Sequence, residues 1–305
     1  MERSAGHIIQ LWVRLRAPIW HVGAGWAALS GAIASGILWE NDVPLLTRIG
    51  IVLLIWLLAD PLLGTMWELG ATPYGVWTQL WRAGRDTNHS APLILLPYTQ
   101  TGSPAWQVAN WLGRQSAWWH TTFWPQSGEA FVTVCSLLPV SLLVGALLNS
   151  TVLTLVCAAM VLAWLAALWR KEIPPSMGGH PWRTTVADAW GQFGIPWMLG
   201  CAATGASSWL GIVLGICLTF SYIGSSRQPT WRPAIVAGQL AALAIMLGIR
   251  QVFAIAVISV LLTAQTGLLL AGRSNQIPNA QWLAGLHLLL LGVMLIASFA
   301  ISLGK

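Results

Sequence analysis

Asp60 is the residue of this chain best placed to do chemistry. It lies inside an apolar run, WLLADPLLGTMWELG. A carboxylate within a membrane-spanning segment is costly and marks a functional position by default. Pro61 follows it and frees a backbone carbonyl in the preceding turn. Glu68 comes eight residues later, about 12 Å along a helix, so one metal ion cannot bridge both acids. Asp60 reads either as a working acid or as a structural one, protonated or paired with an arginine. Asp188 opens another apolar run after Thr184 and Thr185, where an acid in a first turn complements the helix dipole. Arg82, Arg85, Asp86, Asn88 and His89 crowd into WRAGRDTNHS, which reads as a phosphate cradle or as a solvated turn. His21 and His287 stand alone on apolar runs, as packed and hydrogen-bonded histidines or as metal or pigment ligands. Gln192, Gln239 and Gln265 are suited to hydrogen bonds between membrane helices. The remaining acids are placed for solvation (Glu2, Glu40, Asp42) or for boundaries beside arginines (Glu129, Glu172).

Other chemistry is missing from the sequence. It contains no Walker loop, no HExxH, no GxSxG and no CxxC. Cys135, Cys157, Cys201 and Cys217 all fall inside apolar runs, as small packing residues.

The elements that must position these residues are membrane helices. Only 8% of the 305 residues are charged, against roughly 25% in a soluble domain. Nine apolar stretches can be drawn, at 18–39, 47–69, 128–148, 151–169, 187–204, 207–224, 232–249, 252–272 and 281–302. Each approaches the ~20 residues a bilayer helix needs. The predicted class is therefore an all-α polytopic bundle forming one integral membrane domain. With the N-terminus in the cytoplasm, 12 of the 15 Lys and Arg residues fall in cytoplasmic connections, leaving Arg48, Arg250 and Lys305 outside. That bias predicts an odd number of crossings in a cytoplasmic membrane, with the C-terminus outside. The net charge of +6 is then a matter of topology and anionic membrane lipid, not of nucleic acid, since no basic cluster is dense. A basic amphipathic lead-in (Ile8, Ile9, Leu11, Trp12, Leu15) predicts a surface helix rather than a cleaved leader. Gly23, Ala27, Gly31 and Ser35 form a small-residue stripe for close helix packing.

One long connection, 70–127, holds seven tryptophans, at 77, 81, 106, 111, 118, 119 and 124. Val76, Trp77, Leu80 and Trp81 predict one interfacial helix. Val108, Trp111, Leu112, Trp118 and Trp119, after Pro104, predict a second. Indoles favour the head-group level, so the connection reads as a lipid-anchored lid on the cytoplasmic side. It either covers a cavity mouth or has no ligand role.

The chain resembles the UbiA-type intramembrane prenyltransferases. The resemblance rests on RLRAPIWHVGAGWAALSGAIASG, on the Gly-rich DAWGQFGIPWMLGCAATG, and on length and layout. It implies two acidic motifs, at the cytoplasmic ends of the second and sixth spans, holding Mg²⁺ and an isoprenyl diphosphate. The first motif falls on Asp60 and Glu68, the implied catalytic acids, with Asp60 as the metal position. Gly64 stands where a partner acid would be wanted. The second falls in SYIGSSRQPTWR, which has no acid. The resemblance puts substrate binding on Arg82, Arg85, Asn88, Asp188, Tyr222, Arg227 and Arg232. Three functions follow as expectations. The first is a protein that holds an isoprenoid, quinone or pigment tail, or scaffolds a membrane-protein partner, without the usual Mg²⁺ catalysis. The second is a transferase in which arginines replace metal. The third is a transporter or lipid-handling protein.

Overall fold

The computed structural model describes residues 22–40, 42–67, 103–120, 124–171, 186–203, 209–225, 232–273 and 279–304. These are helical, with no strand among them. Helix α1 (Ala24–Ala34) leads through a short 3₁₀ turn (Ile37–Trp39) to α2 (Leu45–Leu57), which continues through a π-wound turn (Leu58–Gly64) to Trp67. Then come α3 (Pro104–Trp118), α4 (Trp124–Leu148) and α5 (Ser150–Lys171). A second π-wound turn (Trp190–Gly194) runs directly into α6 (Ile195–Cys201). The last four are α7 (Trp209–Gly224), α8 (Arg232–Gly248), α9 (Val252–Arg273) and α10 (Asn279–Leu303).

Four described helices are long and apolar enough to cross a membrane: Leu45–Trp67, Phe131–Leu148, Val252–Leu270 and Trp282–Leu303. Four more, Ala24–Ala34, Ser150–Ala166, Trp209–Gly224 and Arg232–Gly248, are apolar but shorter. Large apolar side chains such as Leu46, Trp164, Trp209 and Phe253 are exposed, as helices able to cross a membrane would present them to lipid.

Hydrogen bonds fix which helix ends meet. Trp39 Nε1 donates to Ser302 Oγ at 3.0 Å, joining the end of the first hairpin to the end of α10. Asn149 Nδ2 donates to the Ala202 carbonyl at 2.9 Å and Asn149 Oδ1 accepts from the Val152 amide at 2.8 Å. One side chain thus caps α5 and satisfies a carbonyl freed at the end of α6. Arg48 donates to the carbonyls of Val43 and Leu38, both at 2.7 Å, and ties down the turn before α2. The other ends, at Trp67, Asp188, Ser225, Arg232 and Arg273, therefore lie toward the opposite end of the bundle.

The small-residue helix α1 is central. Its buried face is Ala24, Gly25, Ala27, Ala28, Ser30, Gly31, Ala32 and Ala34. It crosses α6 at backbone contact: a Cβ on Gly31 would stand 2.2 Å from the Trp197 carbonyl oxygen, and one on Gly200 2.1 Å from that of Ala28. Small residues permit this approach and dispersion rewards it. One core, with Phe193, Trp197, Leu214, Leu218, Met246 and Met294, joins α1 to α6–α10. A second, with Leu58, Leu62, Leu137, Val156 and Leu199, joins the first π turn to α4, α5 and α6.

Two of the three glutamines expected to bond between helices do so with each other. Gln239 on α8 donates through Nε2 to Gln265 Oε1 on α9, and both are fully buried. The helix expected after Pro104 is α3, started by Ser103 Oγ accepting from the Trp106 amide at 3.1 Å. Its Val108, Trp111 and Leu112 are exposed. The helix expected at Val76–Trp81 and the N-terminal lead-in lie outside the described residues.

Candidate functional site

Two helices are wound open at matching places, and in both a proline stands at the opening. Pro61 cannot donate to the carbonyl four residues back, and its ring crowds that carbonyl. The chain relieves this by winding as a π-helix over Leu58–Gly64. The hydroxyl of Thr65 donates to the Pro61 carbonyl at 2.5 Å. Pro196 likewise cannot serve the carbonyl of Gln192, and the preceding Trp190–Gly194 is π-wound. Such turns interrupt the helical ladder and recur at functional sites. The first carries Asp60; the second carries Gly191 and Gln192.

Trp67 brings the two together. Its indole lies flat against the missing side chain of Gly191, where a Cβ would meet ring carbons at 2.3–2.5 Å. Its Nε1 donates to Asp188 Oδ1 at 3.0 Å. The role expected for Asp188, a first-turn acid facing the dipole, is thus joined by a link between helices.

Beside this link lies a narrow apolar cleft with about 10 Å³ of free space, room for about one water molecule. The α2 side contributes Leu63, Met66 and Trp67. Helix α5 contributes Ala159, Met160 and Ala163, and the second π turn and α6 contribute Gly191, Ile195 and Pro196. Ligand sites are mostly apolar hollows of several hundred Å³, so this cleft must open to take a ligand. Methionines make adaptable walls.

The other side of the second π turn is closed. Phe193 stacks on Tyr222 at 5.2 Å and on Trp197 at 6.0 Å, and Tyr222 meets the edge of His287 at 6.0 Å. The Tyr222 hydroxyl donates to Gln192 Oε1 at 3.3 Å. Trp197 Nε1 donates to the Gly211 carbonyl at 2.8 Å.

Of the residues given catalytic, metal or substrate-binding roles by the resemblance, four are described. Asp60 is half-buried, engaged by a neighbour, and faces α1: a Cβ on Gly25 would lie 3.4 Å from its own Cβ. Asp188 joins Trp67. Tyr222 lies across the second π turn from the cleft. Arg232 stacks over the Trp282 ring at 4.7 Å, on the α8–α10 side. These four do not converge on one point. Glu68, Arg82, Arg85, Asn88 and Arg227 lie outside the described residues.

The fit to Mg²⁺ can be tested on the donors. Mg²⁺ takes octahedral oxygen ligands, usually from one or two carboxylates plus waters and phosphates. Among the described residues no three His, Cys, Asp or Glu side chains stand together. Asp188 reaches the α2 rod at Trp67, seven residues and about 10 Å beyond Asp60 at the α-helical rise.

Sequence reasoning missed Trp67, Met66, Met160 and Gly191 as a group. The spacing of Gly191, Gly194 and Pro196 signalled a disturbed helix, but nothing in it named the indole that fills the gap. Comparison of the chain with family models, with curated proteins and with solved structures finds no match.

Proposed function

We propose that this chain is a UbiA-like membrane bundle of nine crossings, N-terminus cytoplasmic and C-terminus outside, that holds a long apolar ligand without turning it over. The ligand class is an isoprenoid, quinone or pigment tail. The observation that supports this is the apolar cleft between the two π turns, walled by Met66, Trp67 and Met160. Its lining is suited to a hydrocarbon chain, and its flexible thioethers can part to admit one. The polar groups beside it, Asp188 and the Trp67 indole, hydrogen-bond each other. Standard Mg²⁺–diphosphate chemistry is not part of this reading, because the described acids stand apart.

The test is binding of a long isoprenyl diphosphate and of the matching alcohol to the purified chain, with and without Mg²⁺. Equal, magnesium-indifferent binding, lost in Met160→Trp, is expected. Tighter diphosphate binding that requires Mg²⁺ would replace this reading with an active transferase. Binding of neither would remove the cleft as the site. The topology is checked by labelling single cysteines placed at Arg3 and Lys305, which should react from opposite sides.

A further inference from the structure

The carboxyl-terminal part of the chain has no carboxylate. The last acid is Asp188, and residues 189–305 contain no Asp or Glu. The same stretch carries Arg232 and Arg273, and the fold brings the helix ends that bear them to one end of the bundle. Arg232 begins α8 and Arg273 ends the neighbouring antiparallel helix α9. Both connections at that end, 226–231 and 274–278, are free of acids. No Asp or Glu of residues 189–305 can therefore pair with these arginines, and Asp188, at the same end, bonds Trp67.

Arg232 is also held in place. Its guanidinium lies 4.7 Å above the Trp282 ring, a cation–π contact. Trp282 is only 5% exposed, and its Nε1 donates to the Leu268 carbonyl at 2.9 Å. The platform packs with Ile235 and Leu286. Among the described residues Arg232 forms no ion pair. Stacking leaves the rim of a guanidinium, with its five N–H donors, available to an acceptor in the ring plane. The adjoining surface is apolar and open: Leu240 on α8 and Leu270 on α9 are exposed.

We infer that Arg232, clamped on Trp282, is a binding site for the phosphate of an anionic phospholipid whose acyl chains lie along α8 and α9. A fixed planar donor fork suits phosphate oxygens. An arginine at the membrane boundary without a carboxylate draws anionic lipid. The site is separate from the cleft and does not rest on what the cleft holds.

The test uses the full chain, purified, delipidated and exposed to phosphatidylglycerol or phosphatidylcholine of the same acyl chains. Retained lipid is counted by native mass spectrometry. Phosphatidylglycerol should be favoured by about fivefold, the effect of one well-placed arginine at an anionic surface. Arg232→Gln should erase the preference, Arg232→Lys should keep part of it, and Arg250→Gln, at the opposite end, should leave it intact. On the unaltered chain, added salt should weaken the preference, so the inference stands or falls even if a variant does not fold. Equal retention of both lipids, or an undiminished preference in Arg232→Gln, would overturn it. Displacement of phosphatidylglycerol by inorganic phosphate or diphosphate would overturn the lipid assignment in favour of a soluble phosphate.

Discussion

The rod that contains Asp188, the second π turn and α6 has two unlike faces. Toward α1 it meets backbone with backbone, at Gly31 and Gly200. Toward α2 and α5 it meets side chains: the Trp67 ring over Gly191, and Met66 and Met160 along the cleft. Glycine stands at both, with opposite consequences. Where a glycine faces a carbonyl, the neighbour cannot move and the seam is permanent. Where it faces an indole or a thioether, rotation about side-chain bonds can make room. The difference separates a structural seam from a surface that can admit a ligand.

The largest expected effect breaks the seam. Gly200→Val would set a Cβ 2.1 Å from the Ala28 carbonyl oxygen and 2.6 Å from the Ala32 amide. Neither atom can yield without moving α1. The cost should reach or exceed the upper end of overpacking, about 3 kcal/mol, read as loss of monodisperse folded protein in detergent. Gly191→Ala, whose Cβ would meet the Trp67 ring first, should cost less, about 1–2 kcal/mol. Equal damage from the two would dissolve the distinction between the faces.

The next effect concerns the latch. Trp67→Phe keeps an aromatic ring against Gly191 but removes the donor to Asp188. A hydrogen bond to a charged group contributes about 1.5–3 kcal/mol, so thermal unfolding should fall by about 2 kcal/mol. Asp188→Ala should cost a similar amount, and the double variant little more than either. Full additivity in that cycle would show that the two side chains do not act as a pair. Asn149→Ala comes close behind. It removes a cap and a satisfied carbonyl at the opposite end of the rod, for about 1 kcal/mol.

Much of this architecture was legible in the sequence, and the reason is physical. Apolar runs, small-residue stripes and arginine placement report a bilayer directly, because each residue's transfer energy is local. The all-helical class, the close-packing face of α1 with Gly31, the α3 helix after Pro104 and an interhelical role for Gln239 and Gln265 all followed from local rules, though not that those two bond each other. Pro61 and Pro196 also announced disturbed helices. The cleft was not legible. Its wall is assembled from Met66, Trp67, Met160 and Gly191, residues drawn from three separate helical segments whose spacing in the chain does not link them. The partner of Asp188 was hidden for the same reason: a hydrogen bond across 121 residues leaves no trace in spacing. Asp60, read as an acid in an apolar run, is indeed half-buried, but the sequence could not say that it faces α1.

The smallest expected effect is the most useful for sharpening the comparison. Tyr222 and Gln192 lie on the closed side of the second π turn, away from the cleft. Their hydrogen bond is long, at 3.3 Å, beyond the usual range for a hydroxyl donor. Tyr222→Phe preserves the stack on Phe193, which buries the same ring and depends little on the hydroxyl. Stability should therefore change by less than about 1 kcal/mol. Ligand binding in the cleft should not change, because no atom of Tyr222 lines it. A large loss of binding in Tyr222→Phe, with stability intact, would carry a different lesson. The π turn would then transmit strain from Gln192 to Gly191 one residue away, and the two faces of the rod would be one site seen from both sides.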